Sequence, residues 1–560
     1  MDFKKYLAKK INVNFATCEE LEKLFVIGME DKGDFCLPCF KFSKELKMPP
    51  LLVADKVIQS VSDRDGILKI ENVNGYVNFY LDYSKFSKDL ISKIISDNEN
   101  YGKCKPNNKI VCIDYSSINI AKPFHIGHLS TTVIGGALYK IYKFLGYNVV
   151  GINHLGDYGT QFGKLICAFK KWGNKKDVEA GKIKELLRLY VKFHDEAKTD
   201  ESLEDEARAY FKKIENKDQE SLKLFEFFKS ITLSEVEKVY KLLDVTFDSY
   251  NGESFYNDKM QAIIDELKAK NLLQSNEGAY IVNLEKYNLP PCLILKADGA
   301  SLYATRDLAA AEYRYKTYKF YKNLYVVAYQ QNLHFSQVFK VLELMEKPYA
   351  GSCEHIAFGM VSIEGGGSMS SREGNVVFLE DVIYKSVEKA LKIIEEKNPG
   401  ILNKTETANI VGVGAVIFSA LINNRIKDIV FSYDKILNFD GETCPYVQYT
   451  YARCNSVMNK SKINFENAKF LNLEPQEKLL IKQLSLFAQI LNDVVNKNEP
   501  SVLTRYIVDL CKIYNKFYFD LRIITDEVEV SKKRVALTKA SMIIIKSGLK
   551  LLGIKTTEQM

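Results

Sequence analysis

The sequence predicts a multidomain α/β protein: a parallel sheet flanked by helices, preceded by a small α+β module and followed by an all-α bundle. Three observations carry this. An apolar run at 109–115 leads through a Ser/Asn loop into a helical pattern that continues to about Leu145, and a second apolar run follows at 148–153. Strand, helix and strand in that order make a right-handed β-α-β unit. From about Ala168 to Lys270 the chain turns charged and helical before strand-like runs resume at 279–284, 324–329 and 355–360, so the sheet is split around an insertion. After Thr405 the apolar spacing stays helical to the end, as in a bundle.

Taken in order, residues 1–105 mix amphipathic helical spacing at 7–11, 18–29 and 51–61 with strand-like alternation at 67–73 and 76–80, which is a small α+β module. Polar residues 98–108 read as a linker. The sheet domain spans 106–400, with its helical insertion at about 168–278, and the bundle spans 401–560. At 560 residues the chain exceeds what one core serves.

Composition is that of a globular protein, 46% hydrophobic and 27% charged. Its 78 basic and 71 acidic residues leave a formal charge of +7, so any nucleic-acid surface depends on local clustering. There is no apolar stretch long enough to span a membrane and no signal-like segment after Met1, so a cytosolic location is expected. The eleven cysteines lack a disulfide-framework spacing and are expected to be thiols. Cys36 and Cys39 have C-x-x-C spacing, but no second pair or nearby His pair completes a zinc site.

Ligands in parallel sheets bind beyond the strand carboxyl ends, and the loop after Tyr115 is such an end. It carries Lys122-Pro123-Phe124-His125-Ile126-Gly127-His128, with two imidazoles three residues apart around a glycine. If a helix begins near Phe124, His125 and His128 share one face of its first turn, where unpaired N–H groups favour an anion such as phosphate. Gly127 keeps the surface between them bare for a flat ring such as adenine. Read alone, such a pair caps its helix or packs more often than it binds a ligand. A second segment, residues 365–375, sets Met369, Ser370 and Arg372 among glycines and hydroxyls, either a loop that closes over a polyphosphate or a solvated hinge. A third places Tyr303 four residues before Asp307, on one helix face, with Gln331 following. A carboxylate, a phenol and an amide then converge, unless Asp307 is solvated and pairs with nothing.

The order and wording of these segments resemble arginyl-tRNA synthetase, a class I aminoacyl-tRNA synthetase, along nearly the whole chain. The stretches that carry it are Ser116-Ser117-Ile118-Asn119 running into Leu129, Asn153-His154-Leu155-Gly156-Asp157 and its continuation to Gly163, 302–308 with 331–335, the Met369-Ser370 loop, 441–449 and the ending 557–560. The resemblance implies a class I Rossmann-type catalytic domain, an N-terminal module at the tRNA elbow and a C-terminal anticodon-binding bundle. It implies ATP with Mg2+, L-arginine and tRNA(Arg) as partners, a monomer, and no protein-bound zinc. In that reading His125, Gly127, His128, Lys122, Met369, Ser370 and Arg372 handle ATP. Asp307 takes the guanidinium, Tyr303 and Gln331 complete its pocket, and Asp114, Ser117, Asn119 and His128 surround the amino acid's backbone. Two departures stand out: the family's mobile-loop lysines are replaced by Ser368 and Glu373, and its usual glutamate by Asp114.

Chemistry supports the pocket. A guanidinium presents five donors in a plane and is best met by a carboxylate, whereas lysine would leave acceptors unpaired. Activation would proceed by attack of the arginine carboxylate on the α-phosphorus of ATP, followed by transfer to the terminal adenosine of the tRNA. RNA contacts are expected at Tyr76, Asn78 and Phe79 in the first module, and at Tyr446, Gln448, Tyr449 and Arg453 in the bundle, where the competing expectation is that the tyrosines are core. The rival functions are another class I synthetase and a non-catalytic tRNA-binding synthetase paralogue.

Overall fold

The computed structural model describes residues 3–28, 32–296, 303–365 and 376–560. Its first unit is an antiparallel sheet in the order Val26–Ile27, Phe35–Pro38, Tyr76–Leu81, Ile67–Val73, flanked by helices that include Phe3–Lys10, Pro50–Ser60 and Tyr83–Asp97. The helix expected at 18–29 ends at Leu24, because Phe25 turns extended and Val26–Ile27 joins the sheet edge. The strand Phe35–Pro38 escapes a sequence reading: it is four residues long and nearly all buried, so it shows no alternation. Cys36 lies on it and Cys39 starts the next helix, both buried; burial pushes the Cys39 thiol up to about 12, which makes it unreactive.

The sheet of the second unit is parallel, in the order Cys353–His355, Lys322–Tyr325, Ile110–Asp114, Asn148–Ile152. Its last row aligns His355, Tyr325, Asp114 and Ile152. The strands expected at 324–329 and 355–360 both stop at that row. The central neighbour leaves the sheet after Asp114, so the chains beyond have nothing to pair with except a single bridge between Ala328 and Phe358.

The insertion is helical as expected, through Thr160–Trp172, Lys175–Glu196, Ser202–Glu215 and Gln219–Leu242. The run at 279–284 does not resume the parallel sheet. Its strand Ala279–Val282 pairs with Leu273–Asn276 across a Glu277-Gly278 turn with both φ positive, the twist-matched hairpin geometry, and then with Cys292–Leu295. The chain returns to the parallel sheet through the helix Tyr303–Tyr318.

Beyond Thr405 one element departs from the all-helical reading: Ile429–Phe431 pairs in parallel with Val361–Ile363. Three residues with a partner far away in sequence leave no local pattern to read. The helices Cys444–Lys460, Pro475–Ser485, Ser501–Asp520 and Val528–Leu551 build the bundle. Between two of them Glu477 is fully buried, with Lys533 Nζ at 2.7 Å and Arg534 Nε at 2.9 Å. The N-terminal module docks on the last helix through Glu99, held by Lys546 and Lys550 at 2.7 Å each.

Candidate active site

Where the central strand ends, the backbone is strained. Ser116, Ser117 and Ala121 have φ of 68°, 45° and 62°, left-handed values that side-chain-bearing residues adopt at a cost, often at functional sites. The insertion helix Gln219–Leu242 holds this loop: Thr232 Oγ1 accepts the Ala121 N–H at 3.0 Å, and the Tyr240 hydroxyl is 2.8 Å from Ser116 Oγ. The same hydroxyl accepts from Asn153 Nδ2 at 2.9 Å, and Lys229 pairs with Asp157 at 2.9 Å.

The signature helix starts later than expected. Ile126–His128 is a single 3-10 turn, and the α-helix runs Leu129–Phe144, which makes His125 the cap. Both imidazoles cap: His125 Nδ1 accepts the Gly127 N–H at 3.1 Å, and His128 Nδ1 accepts the His125 N–H at 3.2 Å. An accepting Nδ1 carries no proton, so the neutral His125 ring bears its hydrogen on Nε2, which is left to donate; His128 Nδ1 also lies 3.3 Å from the His125 carbonyl oxygen, and its role there follows the tautomer. The capping and ligand readings are therefore compatible. Burial, reinforced by the Lys122 charge, lowers the His125 pKa; burial, with His125 and Lys122 adding to it, takes His128 down to about 3. At neutral pH both rings are uncharged, and Lys122 supplies the positive charge beside them. A Cβ on residue 127 would sit 2.8 Å from the His125 ring, so Gly127 makes room for the ring itself.

The chain just after the 365–375 segment is stitched to this motif. His125 bridges Phe378, the Ile126 N–H donates to Val377 O at 3.1 Å, and the Leu379 N–H donates to Phe124 O at 3.0 Å. Met369, Ser370 and Arg372, with Ser368 and Glu373, lie outside the described residues.

Two of the predicted site carboxylates, Asp307 and Asp114, make specific contacts. Asp307 is not solvated and alone: its Oδ2 is 2.6 Å from His334 Nε2. Burial works to raise its pKa, but the His334 bond and the nearby His154 and Arg314 outweigh that and hold it below the ordinary carboxylate value. Asp114 is buried; its Oδ2 accepts from Arg314 Nη2 at 2.6 Å and its Oδ1 from Ser117 Oγ at 2.6 Å. Tyr303, at the start of the Asp307 helix, is 66% exposed, and Gln331 is exposed at the end of a 3-10 turn. Asn119 is exposed and pairs with Gly156, where a Cβ would lie 2.3 Å from Asn119 Oδ1.

Sequence reasoning assigned no role to Arg314, His334, His154 or Glu253. Arg314 was within reach, since it follows Asp307 by seven residues, two helical turns on the same face. Glu253 had no signal. It sits half-buried 3.6 Å from Arg306, on a segment whose Glu253 and Ser254 N–H groups donate to Leu155 O at 2.9 Å and Asp157 Oδ1 at 2.8 Å. Burial raises its pKa from 4.5 to about 7, against the pull of Arg306. An acid raised in this way keeps its proton in the folded state while the unfolded chain releases it. Its stability contribution therefore falls as pH climbs from 4.5 to about 7 and is level above. Glu253→Gln removes that dependence, so its thermal midpoint relative to wild type is expected to be higher at pH 8 than at pH 5. Scanning calorimetry at both values checks this, and an equal difference at the two pH values refutes it.

The RNA-side candidates divide sharply. Phe79 and Asn78 are buried on a strand paired on both sides, which takes them out of reach of a ligand; Tyr76 is exposed and meets Phe40 edge-on at 5.0 Å. Gln448 is also withdrawn: it is fully buried, and its amide donates to Lys555 O at 2.8 Å and Ile410 O at 3.3 Å, tying the C-terminal segment to the bundle. Tyr446 is half-buried and accepts from Asn515 Nδ2 at 3.0 Å. Tyr449 is exposed, and the Arg453 guanidinium lies 5.0 Å from the ring centres of both Tyr449 and Tyr518. This trio lines an open groove of about 440 Å³ that also reaches Met560.

Three family profiles match the chain: "tRNA synthetases class I (R), catalytic domain" over residues 90–433, "Arginyl tRNA synthetase N terminal domain" over 2–81, and "DALR anticodon binding domain" over 447–560. The arginine–tRNA ligase of Halothermothrix orenii is 48% identical over 566 residues, covering 100% of both chains. That of Alkaliphilus metalliredigens is 49% identical, covering 97% of this chain and 96% of its own. The Thermus thermophilus arginyl-tRNA synthetase structure superposes with a TM-score of 0.84 at 23% identity, covering 96% of each chain, a likeness of fold.

Proposed function

The chain belongs to the arginine–tRNA ligases, class I aminoacyl-tRNA synthetases, and we propose that its chemistry runs at the sheet end between the His125/His128 cap and the Asp307 carboxylate. The observation that carries this reading is Asp307 itself: a carboxylate held ionised by His334 at the start of a helix, in the same domain as two neutral imidazoles. A non-catalytic paralogue is not favoured, given the identity along the whole chain to arginine–tRNA ligases.

In the first step the α-carboxylate of arginine attacks the α-phosphorus of ATP, and pyrophosphate leaves. The Nε2–H group of His125 donates to a phosphate oxygen with the His128 ring beside it, and Lys122 offsets the charge that builds on the leaving group, together with Arg372. Asp307 anchors the guanidinium with Tyr303 and Gln331 around it, while Ser117, Asn119 and Asp114 stand at the backbone end. In the second step the terminal adenosine of tRNA(Arg) attacks the adenylate carbonyl through its 2′-hydroxyl, and AMP leaves. No protein nucleophile takes part. Among the described residues no cluster of three His, Cys, Asp or Glu could cage a metal, so magnesium would be held by the nucleotide's phosphates, where it supplies further charge neutralisation.

The Tyr76 and Phe40 face serves the tRNA elbow, and the groove of Tyr449, Arg453 and Tyr518 serves the anticodon side by stacking and charge. A single chain working in the cytosol completes the reading. No helix among the described residues is long and apolar enough to cross a membrane, and all eleven cysteines are unpaired.

The experiment is ATP–pyrophosphate exchange with each amino acid in turn, with and without a tRNA(Arg) transcript. Exchange restricted to arginine supports the pocket assignment, and exchange with another amino acid overturns it. On the nucleotide side, Lys122→Ala is expected to lower kcat/KM for ATP by roughly 10²-fold, the usual scale for removing one preorganised charge-stabilising group, with KM for arginine little changed. Steady-state kinetics in each substrate checks this, and a loss confined to arginine would move Lys122 out of the ATP site.

A further inference from the structure

Arg314 has no part in the roles above, yet it is the most deeply buried cation of the site, at 1% exposure. A guanidinium is kept in such a place only if its charge is matched, and Asp114 matches it at 2.6 Å. The geometry around the pair is closed. The guanidinium lies 5.3 Å from the centre of the Tyr325 ring, and Tyr325 is the register partner of Asp114 on the neighbouring strand. His154 Nδ1 is 3.4 Å from the same Nη2. Arg314 therefore fixes the orientation of Asp114.

The consequence lies one step further on. The second Asp114 oxygen accepts the Ser117 hydroxyl proton at 2.6 Å, on a residue whose φ of 45° is held by the surrounding loop. A serine hydroxyl has one proton and two lone pairs. Once its proton is committed to a carboxylate, its oxygen can only accept from any other partner. We propose that Arg314 is a positioning residue: by holding the Asp114 carboxylate in place as an acceptor it commits the Ser117 proton and leaves the Ser117 oxygen as an acceptor for the α-ammonium group of arginine. Asp114 then acts through Ser117 instead of reaching the substrate, which gives a physical place to the shorter side chain found here. The inference rests on the arginine-ligase reading of the site.

The test compares two ligands in tRNA-supported ATP–pyrophosphate exchange: arginine as substrate, and 5-guanidinopentanoic acid, which carries hydrogen in place of the α-amino group and so has no donor there, as competitive inhibitor. Ser117→Ala and Asp114→Asn are each expected to raise KM for arginine on the order of tenfold, the scale of a lost hydrogen bond to a charged group, with kcat reduced less and inhibition by 5-guanidinopentanoic acid almost unchanged. Arg314→Gln is expected to do the same. Because it strands a buried carboxylate and can unfold the chain, the Arg314→Gln/Asp114→Asn double variant, which removes both charges, is measured beside it. The double variant should be no worse than Asp114→Asn alone. Equal weakening of both ligands, an Arg314→Gln enzyme with wild-type KM, or additive losses in the double variant would each overturn the inference while leaving the ligase reading intact. A wild-type enzyme that gives no arginine exchange would overturn both.

Discussion

Asp307→Ala is expected to lower kcat/KM for arginine by roughly 10³- to 10⁴-fold while leaving the affinity for tRNA(Arg) within about twofold of wild type. Removing one member of a buried charged pair costs about 2–5 kcal/mol, and each 1.4 kcal/mol is tenfold in rate or affinity. Two features put Asp307 at the upper end. It is the carboxylate assigned to the guanidinium, and its loss also leaves the His334 ring without its 2.6 Å partner. Asp307→Asn separates charge from shape: it keeps the size and a hydrogen-bonding oxygen, and a loss of about 10²-fold is expected from the missing charge alone. Exchange kinetics, together with filter binding of labelled tRNA, check both halves. An Asp307→Ala enzyme that still charges arginine normally would mean that the guanidinium is read elsewhere.

The second large effect concerns stability. Glu477→Leu is expected to destabilise the C-terminal bundle by about 3–5 kcal/mol, because it leaves two buried cations without their counter-ion. Lys533 and Arg534 keep only neutral partners: the carbonyls of Leu471 and Asn472 at 3.3 Å for Lys533, and that of Arg522 at 2.7 Å for Arg534. For a unit of this size the loss corresponds to a fall on the order of 10 °C in the bundle's thermal transition. Calorimetry of the full chain reads it. The triple change Glu477→Leu with Lys533→Met and Arg534→Met should recover most of the loss, since a matched apolar set often replaces a buried ion cluster without penalty. A single-variant shift below about 2 °C would show that the cluster is hydrated enough to screen its own charges.

How much of this was legible beforehand depended on whether the signal was local. The β-α-β unit and the His125/His128 motif are written in contiguous residues and appear close to where they were expected, and the insertion is helical as its pattern says, but its end was misplaced because the run at 279–284 pairs in a separate antiparallel sheet. Asp307 was recognisable because Tyr303 and Gln331 accompany it in the same wording. The RNA-side assignments fared unevenly for one reason: polar and aromatic residues on a strand or helix do not announce which face they occupy. Asn78 and Phe79 lie on a strand with neighbours on both sides, and Gln448 turns inward to bind the carbonyls of Ile410 and Lys555. Tyr76, Tyr449 and Arg453 happened to face out. The strand Ile429–Phe431 and the half-buried Glu253 owe their positions to partners more than sixty residues away in sequence, Val361–Ile363 for the first and the 155–157 turn for the second.

The helix Gln219–Leu242 reaches four points of the site through three side chains: Thr232 on Ala121, Tyr240 on both Ser116 and Asn153, and Lys229 on Asp157. It behaves as a splint. Trimming the insertion away would therefore not yield a smaller working core, since the strained turn it braces would relax toward ordinary backbone angles and carry Ser117 and Lys122 with it. By the same coupling, any load placed on the outer surface of the insertion is transmitted to the place where the bond is made.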